Sequence, residues 1–437
     1  MISIRRGFRS GLRRLIVNIE VKILKKLLVL ANEFPYGTWE PYMETEERYY
    51  TCFDKVWIAS LQLRKEHAKT KRQLTCGATV IPVPYMSRLF YLINTFSILL
   101  DGNLYRELLH LLRSGRLSLS RIIDLFVFLS RAHHEARVID RFLKEEDKDG
   151  VLLYAYRSEY QPYVAMLLRK KWKKPLHIVS RAHGYDVYEE RHHGNYIPLR
   201  ETILSNIDSL FPCSLYGVEY IKEKYGDVKA AVQCEYLGTI DHGEHMIPSG
   251  VKPFKIVSCS NVVEVKRLDK IVHALAGIHD IEIEWTHYGD GPLLDEVKKL
   301  VQRDLPDNIA ASFPGNVTNQ QLMNEYVAKD YHVFLNVSSS EGLPVSIMEA
   351  MSFGIPCIAT DVGGTKEEVN NENGRILDAD VSDDVIADAI RQFYEMDSSA
   401  YRKLRKNARE GWMKRFNCDM NYPLFVEKIK NIGAKGA

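Results

Sequence analysis

Short, continuous apolar runs of strand length recur along the whole chain, and helical stretches separate them. Apolar strands without polar alternation, connected through helices, predict parallel sheets that are covered on both faces. The two halves of this 437-residue chain each carry enough runs for one doubly wound domain, with ligands bound at the carboxyl ends of the strands. The predicted strands are residues 26–31, 55–59, 78–82, 151–155, 176–180, 208–213, 255–258, 281–287, 309–313, 331–337 and 355–360.

The stretch 237–253 separates the two sets of strands. It has neither a helical nor a strand period and is rich in glycine, proline and histidine, which predicts a linker. We therefore predict an N-terminal domain over residues 1–245, a C-terminal domain over 254–405 and a final helical segment over 406–437. Within the first domain, residues 85–145 form a long helical segment that is both basic and apolar. Two interpretations of this segment stay open: a helical elaboration near a substrate, or a thick helical layer on the core.

The net charge of +2 argues against a general nucleic-acid-binding protein, and no nucleic-acid partner is expected. Residues 1–24 are nonetheless a basic leader with interleaved apolar side chains, which predicts either contact with an anionic membrane surface or a solvated segment. The leader lacks the apolar core of a secretory signal, and no apolar run is long enough to span a bilayer. The seven cysteines are scattered, without a Cys-x-x-Cys pair. This usage predicts a cytoplasmic protein, peripheral at most to the inner face of the membrane.

The segment 338–364 carries the most functional information. A predicted strand ends in small polar residues, which Glu341, Gly342, Leu343 and Pro344 follow, and a helical pattern then carries Glu349. We expect the backbone N–H groups of Gly342 and Leu343 to bind phosphate oxygens at the positive end of the helix, with Pro344 in the first helical position. One carboxylate lies before this anion site and one lies about 6 Å further along the helix axis. A nucleotide-sugar, with hydroxyls at both ends and a diphosphate in its middle, suits this spacing.

The Glu341–Glu349 pattern, in its EGLPVSIMEAMSFGIPCIATDVGG context, resembles the retaining glycosyltransferases of GT-B type, often called family 4 or group 1. The resemblance implies the GT-B fold: two Rossmann-like parallel-sheet domains that face each other across a cleft, with the last helix packed back on the N-terminal domain. It also implies that the C-terminal domain binds the nucleotide-sugar, that the N-terminal domain lies on the acceptor side and that no metal cofactor is needed.

The resemblance extends to charged residues near the ends of other predicted strands. His183, in an Arg-Ala-His-Gly-Tyr-Asp segment, matches a histidine that contacts the transferred sugar. Lys266 matches a lysine that binds the diphosphate, and Asn261 stands where the family commonly has an arginine. Because asparagine carries no charge, we expect Arg267 to supply the missing positive charge.

Loops rich in glycine follow several of the same strands. Gly37 matches the first loop of the family, which meets the donor phosphate or the acceptor, and Glu40 and Glu44 beyond it are candidate acceptor contacts. Gly289 lies in a Tyr-Gly-Asp-Gly-Pro loop. Gly315 and Val317 lie in the loop that the family places against the base. The resemblance thus assigns all four positions, Gly37, Gly289, Gly315 and Val317, to the donor.

The sequence therefore predicts a glycosyltransferase that moves a sugar from a nucleotide-sugar to a glycan or lipid-linked acceptor in cell-surface polysaccharide biosynthesis. His183, Lys266 and Glu341 are its predicted catalytic residues. Two other functions stay open: a nucleotide-sugar epimerase with the same two domains, and a non-catalytic partner protein. An epimerase is expected to carry more acid–base residues in the cleft. A non-catalytic protein is expected to have lost the two glutamates or the lysine.

Overall fold

The computed structural model describes residues 25–38, 40–243 and 253–434. The basic leader predicted for residues 1–24 and the linker residues 244–252 lie outside the described residues.

The N-terminal half forms a seven-stranded parallel sheet in the order β3-β2-β1-β4-β5-β6-β7. All residues of β1 and β4 are buried, because helices cover both faces of the sheet. Its strands are β1 (Lys26–Ala31), β2 (Lys55–Leu63), β3 (Thr79–Pro84), β4 (Val151–Ala155), β5 (Ile178–Ala182), β6 (Ser209–Pro212) and β7 (Ala231–Val232).

The C-terminal half forms a second parallel sheet of six strands, in the order β10-β9-β8-β11-β12-β13. The strand order reverses next to the first strand of each sheet, between β1 and β4 and between β8 and β11. Doubly wound sheets bind ligands at such switch points. The strands are β8 (Phe254–Cys259), β9 (Ile283–Tyr288), β10 (Ile309–Gly315), β11 (Val333–Asn336), β12 (Cys357–Thr360) and β13 (Gly374–Leu377).

The α-helices connect and cover these strands. The first seven are α1 (Pro41–Glu46), α2 (Arg88–Ile93), α3 (Gly102–Arg113), α4 (Leu119–Phe142), α5 (Gln161–Trp172), α6 (Arg200–Leu204) and α7 (Leu215–Tyr225). The others are α8 (Leu268–Ala276), α9 (Leu294–Asp304), α10 (Asn319–Ala328), α11 (Val345–Ser352), α12 (Thr365–Glu368), α13 (Asp383–Glu395), α14 (Ser398–Arg415) and α15 (Cys418–Ala434). No helix among the described residues is long and apolar enough to cross a membrane.

The predicted fold class is confirmed, and every predicted strand is present. Two further strands, β7 and β13, were not predicted. The first has only two residues at the sheet edge, and the second begins with a glycine and carries the exposed Arg375. Both strands lie at an edge of their sheet, and neither contains a continuous apolar run of strand length from which it could be predicted.

The helical segment predicted for residues 85–145 contains α2, α3 and α4. Leu125, Leu129 and Ile139 of α4 are fully buried in the N-terminal core, so this helix is a layer on the core. Helix α3 is different, because it buries Leu104 and Leu111 but leaves other leucines exposed.

The chain crosses between the domains twice, and the two crossings lie side by side. The backbone N–H of Thr239 donates to Phe416 O at 2.9 Å, and Cys418 N donates to Thr239 O at 3.1 Å. Helix α15 then packs Phe425 and Ile429 into the apolar cluster formed by β1 and its neighbours. The predicted boundary at residue 406 falls inside α14, since the return crossing begins only after that helix ends.

Candidate functional site

A lysine and a glutamate meet at the carboxyl ends of the central strands of the C-terminal sheet. Lys266 follows β8 and Glu341 follows β11, and Lys266 Nζ lies 2.6 Å from Glu341 Oε1. The side-chain amide of Asn336, the last residue of β11, donates to the same oxygen at 3.3 Å. Glu341 is buried, while the lysine keeps about a quarter of its side chain exposed (23%). The two predicted catalytic residues of this domain therefore form one charged pair at the switch point.

The N-terminal domain contacts the C-terminal domain directly beside this pair. A Cβ atom on Gly342 would lie 2.8 Å from Gly184 Cα, and one on Gly184 would lie 3.0 Å from Gly342 Cα. The distance at Gly342 leaves no room for a side chain, since real Cβ atoms essentially never approach backbone within 3.0 Å, and the distance at Gly184 is at that limit. Arg191 Nη2 adds a hydrogen bond to Ser340 Oγ at 2.8 Å, and Glu367 accepts the N–H of Leu215 at 2.8 Å. The candidate site is therefore built by both domains.

The loop between Glu341 and α11 presents backbone donors. Among the described residues, the amide nitrogens of Gly342 and Leu343 donate no backbone hydrogen bond, while Gly342 O accepts the N–H of Gly364 at 2.8 Å. Leu343 packs its side chain into a buried apolar cluster, which fixes the loop. One detail of the prediction was wrong: Pro344 is not the first helical residue but the extended residue that precedes α11, with ψ of 99°.

Glu349 lies on α11 next to the loop that follows β10. Its Oε1 accepts a hydrogen bond from Asn319 Nδ2 at 2.6 Å. Burial raises the pKa of Glu349 to about 7, although the hydrogen bond from Asn319 acts in the opposite direction. The carboxyl group is therefore poised between its two protonation states near neutral pH.

Tyr42 of α1 reaches this part of the site from the N-terminal domain. The half-buried ring packs against the same apolar cluster as Val317 and Cys259. Burial, and then the charge of Glu349, raise the pKa of Tyr42 far above its ordinary value, so the hydroxyl stays protonated. The sequence analysis did not identify Tyr42. The only signal for it in the sequence is its position between Glu40 and Glu44, after the first strand.

His183 follows β5 on the opposite side of the domain contact. Its backbone N–H donates to Asp186 Oδ1 at 2.6 Å, and its Nδ1 lies 3.6 Å from Asp186 Oδ2. Burial alone would raise the pKa of Asp186, but the hydrogen bond from His183 and its charge lower it well below the usual range. Both ring nitrogens of His183 are buried without a hydrogen-bond partner among the described residues. Since Gly184 contacts Gly342, the chain segment that carries His183 adjoins the loop that carries Glu341.

The structure does not place Arg267 as predicted. Its Nε donates to Val337 O at 2.6 Å, Nη2 to Ser338 O at 2.9 Å and Nη1 to Ala379 O at 2.9 Å. Arg267 has a positive φ of 50° and ends the short turn Glu264–Lys266. The guanidinium therefore holds the loop that carries Glu341 and does not supply the missing positive charge.

The predicted glycines have identifiable backbone roles. Gly289 has a φ of 138°, and a Cβ there would lie 1.9 Å from Ser260 O, so glycine allows the loops after β8 and β9 to touch. Gly315 has a φ of 80°, and its carbonyl accepts the N–H of Gly289 at 3.0 Å. Gly37 has a φ of 60° and packs against His67. A donor contact at these residues stays a prediction.

The acceptor contacts expected of Glu40 and Glu44 do not fit the structure. Glu40 is buried, and its carboxylate accepts the backbone N–H groups of Asn32, Glu33 and Phe34 at 3.0–3.2 Å. It therefore holds the loop that follows β1. Glu44 is exposed and pairs with Arg72 at 3.4 Å on the outer surface.

No group of three or more histidine, cysteine, aspartate or glutamate side chains among residues 25–38, 40–243 and 253–434 has the arrangement needed to hold a metal ion. The prediction that the protein uses no metal stays a prediction.

Comparisons with known proteins bear on the family and on the fold. Residues 245–411 match the family model described as Glycosyl transferases group 1. The GtfA subunit of UDP-N-acetylglucosamine–peptide N-acetylglucosaminyltransferase from Streptococcus agalactiae is 23% identical over 50% of this chain and 44% of its own length. The putative colanic acid biosynthesis glycosyltransferase WcaL of Escherichia coli is 23% identical over 53% of this chain and 59% of its own length. The chain thus spans less than two thirds of either relative.

Solved structures cover more of the chain. HepE of Anabaena, in complex with UDP and glucose, superimposes with a TM-score of 0.64 at 15% identity over 93% of this chain and 100% of its own. Sucrose-phosphate synthase of Thermosynechococcus elongatus superimposes with a TM-score of 0.67 at 17% identity over 94% of this chain and 100% of its own. Identities this low show the fold alone. The two facing parallel-sheet domains have the GT-B fold, and the C-terminal domain is similar to the group 1 glycosyl transferases over the matched residues.

The raised pKa of Glu349 makes stability depend on pH. The folded protein holds this proton up to about pH 7, while the unfolded chain releases it near pH 4.5, the ordinary pKa of a glutamate. Stability is therefore lost as pH rises through this window. We measure the free energy of unfolding by urea titration at pH 5 and at pH 8. Between these two pH values, the free energy of unfolding of the parent is expected to fall by about 2 kcal/mol more than that of Glu349→Gln. Glu223→Gln on an exposed face of α7 serves as the control. Equal changes in all three proteins would contradict the burial of this carboxyl.

Gly342→Ala tests the contact between the domains. The new Cβ would meet the Gly184 backbone at 2.8 Å, so the contact must open or the molecule must bear an overpacking cost of about 1–3 kcal/mol. We expect a larger radius of gyration in small-angle scattering and a lower melting temperature. Gly102→Ala is the matched control, because nothing lies within 4 Å of the Cβ position at that glycine. Identical scattering and melting of all three proteins would mean that these backbones do not touch in solution.

Proposed function

We propose that the protein is a retaining glycosyltransferase that moves a sugar from a UDP-sugar to a hydroxyl group of a glycan or lipid-linked acceptor, in the biosynthesis of a cell-surface polysaccharide or lipopolysaccharide. One observation carries the proposal: Lys266 and Glu341 form a pair at the switch point of the C-terminal sheet, beside the backbone N–H groups of Gly342 and Leu343. The UDP in the HepE structure and the UDP-sugars named for the relatives support the choice of nucleotide.

The proposed roles follow from the positions of the side chains. Glu341 holds hydroxyls of the transferred sugar, and Lys266 leaves its pair with Glu341 to bind the diphosphate. The N–H groups of Gly342 and Leu343 bind the phosphate oxygens at the N-terminus of α11. Glu349 accepts from the ribose hydroxyls. His183 contacts the sugar from the facing domain, through its ring nitrogens, which make no hydrogen bond among the described residues.

The proposed chemistry is a front-face substitution. The bond between the anomeric carbon and the phosphate oxygen breaks as the acceptor oxygen bonds to the same face of that carbon. The acceptor proton moves to the leaving phosphate oxygen, so the product nucleotide carries it away. In this route the protein positions the reactants and stabilises charge on the diphosphate, with Lys266 and the loop N–H groups in the place of a metal ion.

We further propose that the protein works at the cytoplasmic face of a membrane, on a surface provided by α3. Tyr105, Leu109 and Leu112 recur at helical spacing and are exposed by 54%, 44% and 60%. Arg106 and Arg113 lie beside this stripe, one position further along the helix, and are also exposed. An apolar stripe next to a basic stripe suits the interface of an anionic bilayer.

The function is tested by Lys266→Ala, Glu341→Gln and Glu349→Ala. We expect each of Lys266→Ala and Glu341→Gln to lower the rate of sugar transfer from the donor by about 100-fold or more, because each removes charge or positioning at the diphosphate or sugar. Glu349→Ala is expected to weaken donor binding. Lys299→Ala on the exposed face of α9 is the control. Donor turnover near the parental rate in both Lys266→Ala and Glu349→Ala would contradict the site.

The donor is identified by thermal unfolding with a panel of nucleoside diphosphates and nucleotide-sugars. A UDP-sugar present at 100 times its dissociation constant is expected to stabilise the protein by about 2.7 kcal/mol. Stabilisation by a different nucleotide alone would contradict the choice of UDP.

The membrane surface is tested by Leu109→Ser together with Leu112→Ser. We expect this double variant to bind vesicles with anionic lipids at least about tenfold more weakly than the parent, because insertion of each leucine contributes on the order of 1 kcal/mol. Co-sedimentation with anionic and with neutral vesicles measures the effect. Leu424→Ser on α15 replaces another exposed leucine (67%) outside the proposed surface and is the control. Unchanged binding of the double variant would exclude α3 as the contact surface.

A further inference from the structure

A cavity lies in the N-terminal domain, apart from the charged pair of Lys266 and Glu341. It measures about 370 Å³ and opens at the carboxyl ends of β1, β2 and β4, the switch point of the N-terminal sheet. Its polar lining includes Asn32, Gln62, Arg64, Arg131, Arg157 and Glu159. Tyr185, two residues after His183, closes one side. The cavity therefore adjoins the segment that contacts the C-terminal domain.

Two of its arginines are largely withdrawn from water but make no side-chain hydrogen bond within the described parts of the chain. The Nε atoms of Arg131 and Arg157 are buried and unpartnered. The Arg131 guanidinium lies 5.0 Å from the centre of the Tyr160 ring and 5.3 Å from that of Tyr91. Arg157 Nε lies 3.8 Å from Glu40 Oε1, whose carboxylate already binds backbone N–H groups. Both guanidinium groups are thus fixed in position with donors left unused.

Two more deeply buried arginines, Arg181 and Arg200, also leave one nitrogen each without a hydrogen bond, but they use their other donors. Arg181 donates to Tyr154 Oη at 3.2 Å and to Glu235 O at 2.9 Å. Arg200 donates to Ser158 O at 2.8 Å and to Asp186 O at 2.5 Å. A charged group that is withdrawn from water without hydrogen bonds is costly, so arginines with unused donors mark a place where a ligand completes them.

Carboxylates lie near two of these arginines: Glu33, which also lines the cavity, has its Oε1 3.7 Å from Arg64 Nε, and Glu40 Oε1 is 3.8 Å from Arg157 Nε. Glu33 accepts the backbone N–H of Arg64 at 3.3 Å and pairs with His67 at 3.0 Å. Burial, and then the charge of Asp186, raise the pKa of Glu159, which favours its neutral form. Burial raises the pKa of Glu135, one turn from Arg131 on α4, well above its usual value. These carboxylates accept no hydrogen bond from the guanidinium groups of Arg64, Arg131 and Arg157 among the described residues, so the arginine donors remain open to a ligand.

We propose that this cavity binds a negatively charged group of the acceptor, a phosphate or a carboxylate, through Arg64, Arg131 and Arg157. The planar guanidinium donors match both anions and bind them with charge-assisted hydrogen bonds. This inference rests on the proposed function, since it names the chemical class of the acceptor in the domain that faces the donor. An acidic glycan and a sugar linked through phosphate to a lipid both have the required chemistry.

The test uses a background of Lys266→Ala, which removes the phosphate-binding lysine on the donor side. Inorganic pyrophosphate and glucuronate are titrated into this protein by calorimetry, with methyl glucoside as the uncharged probe. We expect one of the anions to bind and methyl glucoside not to bind. Preference for pyrophosphate indicates a phosphate-linked acceptor, and preference for glucuronate indicates an acidic sugar. Binding of neither anion would overturn the proposal.

Arginine variants locate the binding site. In the same background, Arg64→Gln, Arg131→Gln and Arg157→Gln are each expected to weaken anion binding roughly tenfold. Arg137→Gln is the matched control, because this residue is exposed on the same helix as Arg131. Arg64 is about half exposed (46%), so its replacement tests the site without a risk to folding, and Arg131→Lys is expected to restore part of the binding. Anion affinity unchanged in the three glutamine variants would overturn the proposal.

A separate measurement distinguishes this inference from the proposed function. UDP binding, followed by thermal unfolding with Lys266 intact, is expected to be the same in the three arginine variants as in the parent. If UDP does not bind the parent protein, the proposed function fails, while the calorimetric result still decides whether the cavity binds anions. If the arginine variants lose UDP binding together with anion binding, the cavity belongs to the donor and the inference is overturned.

Discussion

Gly184 and Gly342 bring the backbones of the two domains together, and a single Cβ on either residue would come within 3.0 Å of the other backbone. This contact places the segment of His183 beside Glu341 and Lys266, so the groups of the candidate site come from both sheets. The paired crossings at Thr239 and at residues 416–418 tie the domains on the other side. The backbones of two domains can approach this closely only where both residues are small.

The arginines show how one residue type serves two purposes in the same molecule. Arg267 donates hydrogen bonds to backbone carbonyls that follow β11 and so holds the loop that carries Glu341. Arg131 and Arg157 are also partly buried but keep their donors unused beside a cavity. A rigid fork of five N–H groups suits both tasks, and only the partners within reach distinguish a structural arginine from one that binds an anion.

Much of the fold and part of the site were predictable. Continuous apolar runs identified the strands, and parallel strands place their carboxyl ends together, so Lys266 and Glu341 were expected to lie near each other. Arg267 and Glu40 were assigned to ligands because their charge and position after a strand resemble those of binding residues. The structure shows both side chains hydrogen-bonded to the backbone instead, with Glu40 buried and Arg267 partly exposed. A charged residue near a strand end has the same local sequence whether it holds a loop or a ligand.

Local sequence patterns specify the two doubly wound domains and the spacing of Glu341 and Glu349, because apolar periodicity and turn residues act over a few neighbouring positions. Packing in three dimensions brings Tyr42 near Glu349, places Gly184 against Gly342 and leaves the guanidinium groups of Arg131 and Arg157 without hydrogen bonds among the described residues. These relations join residues that are far apart in the chain. They depend on how the domains dock and on which backbone carbonyls lie within hydrogen-bond distance of each arginine. No short sequence pattern encodes the docking or these distances.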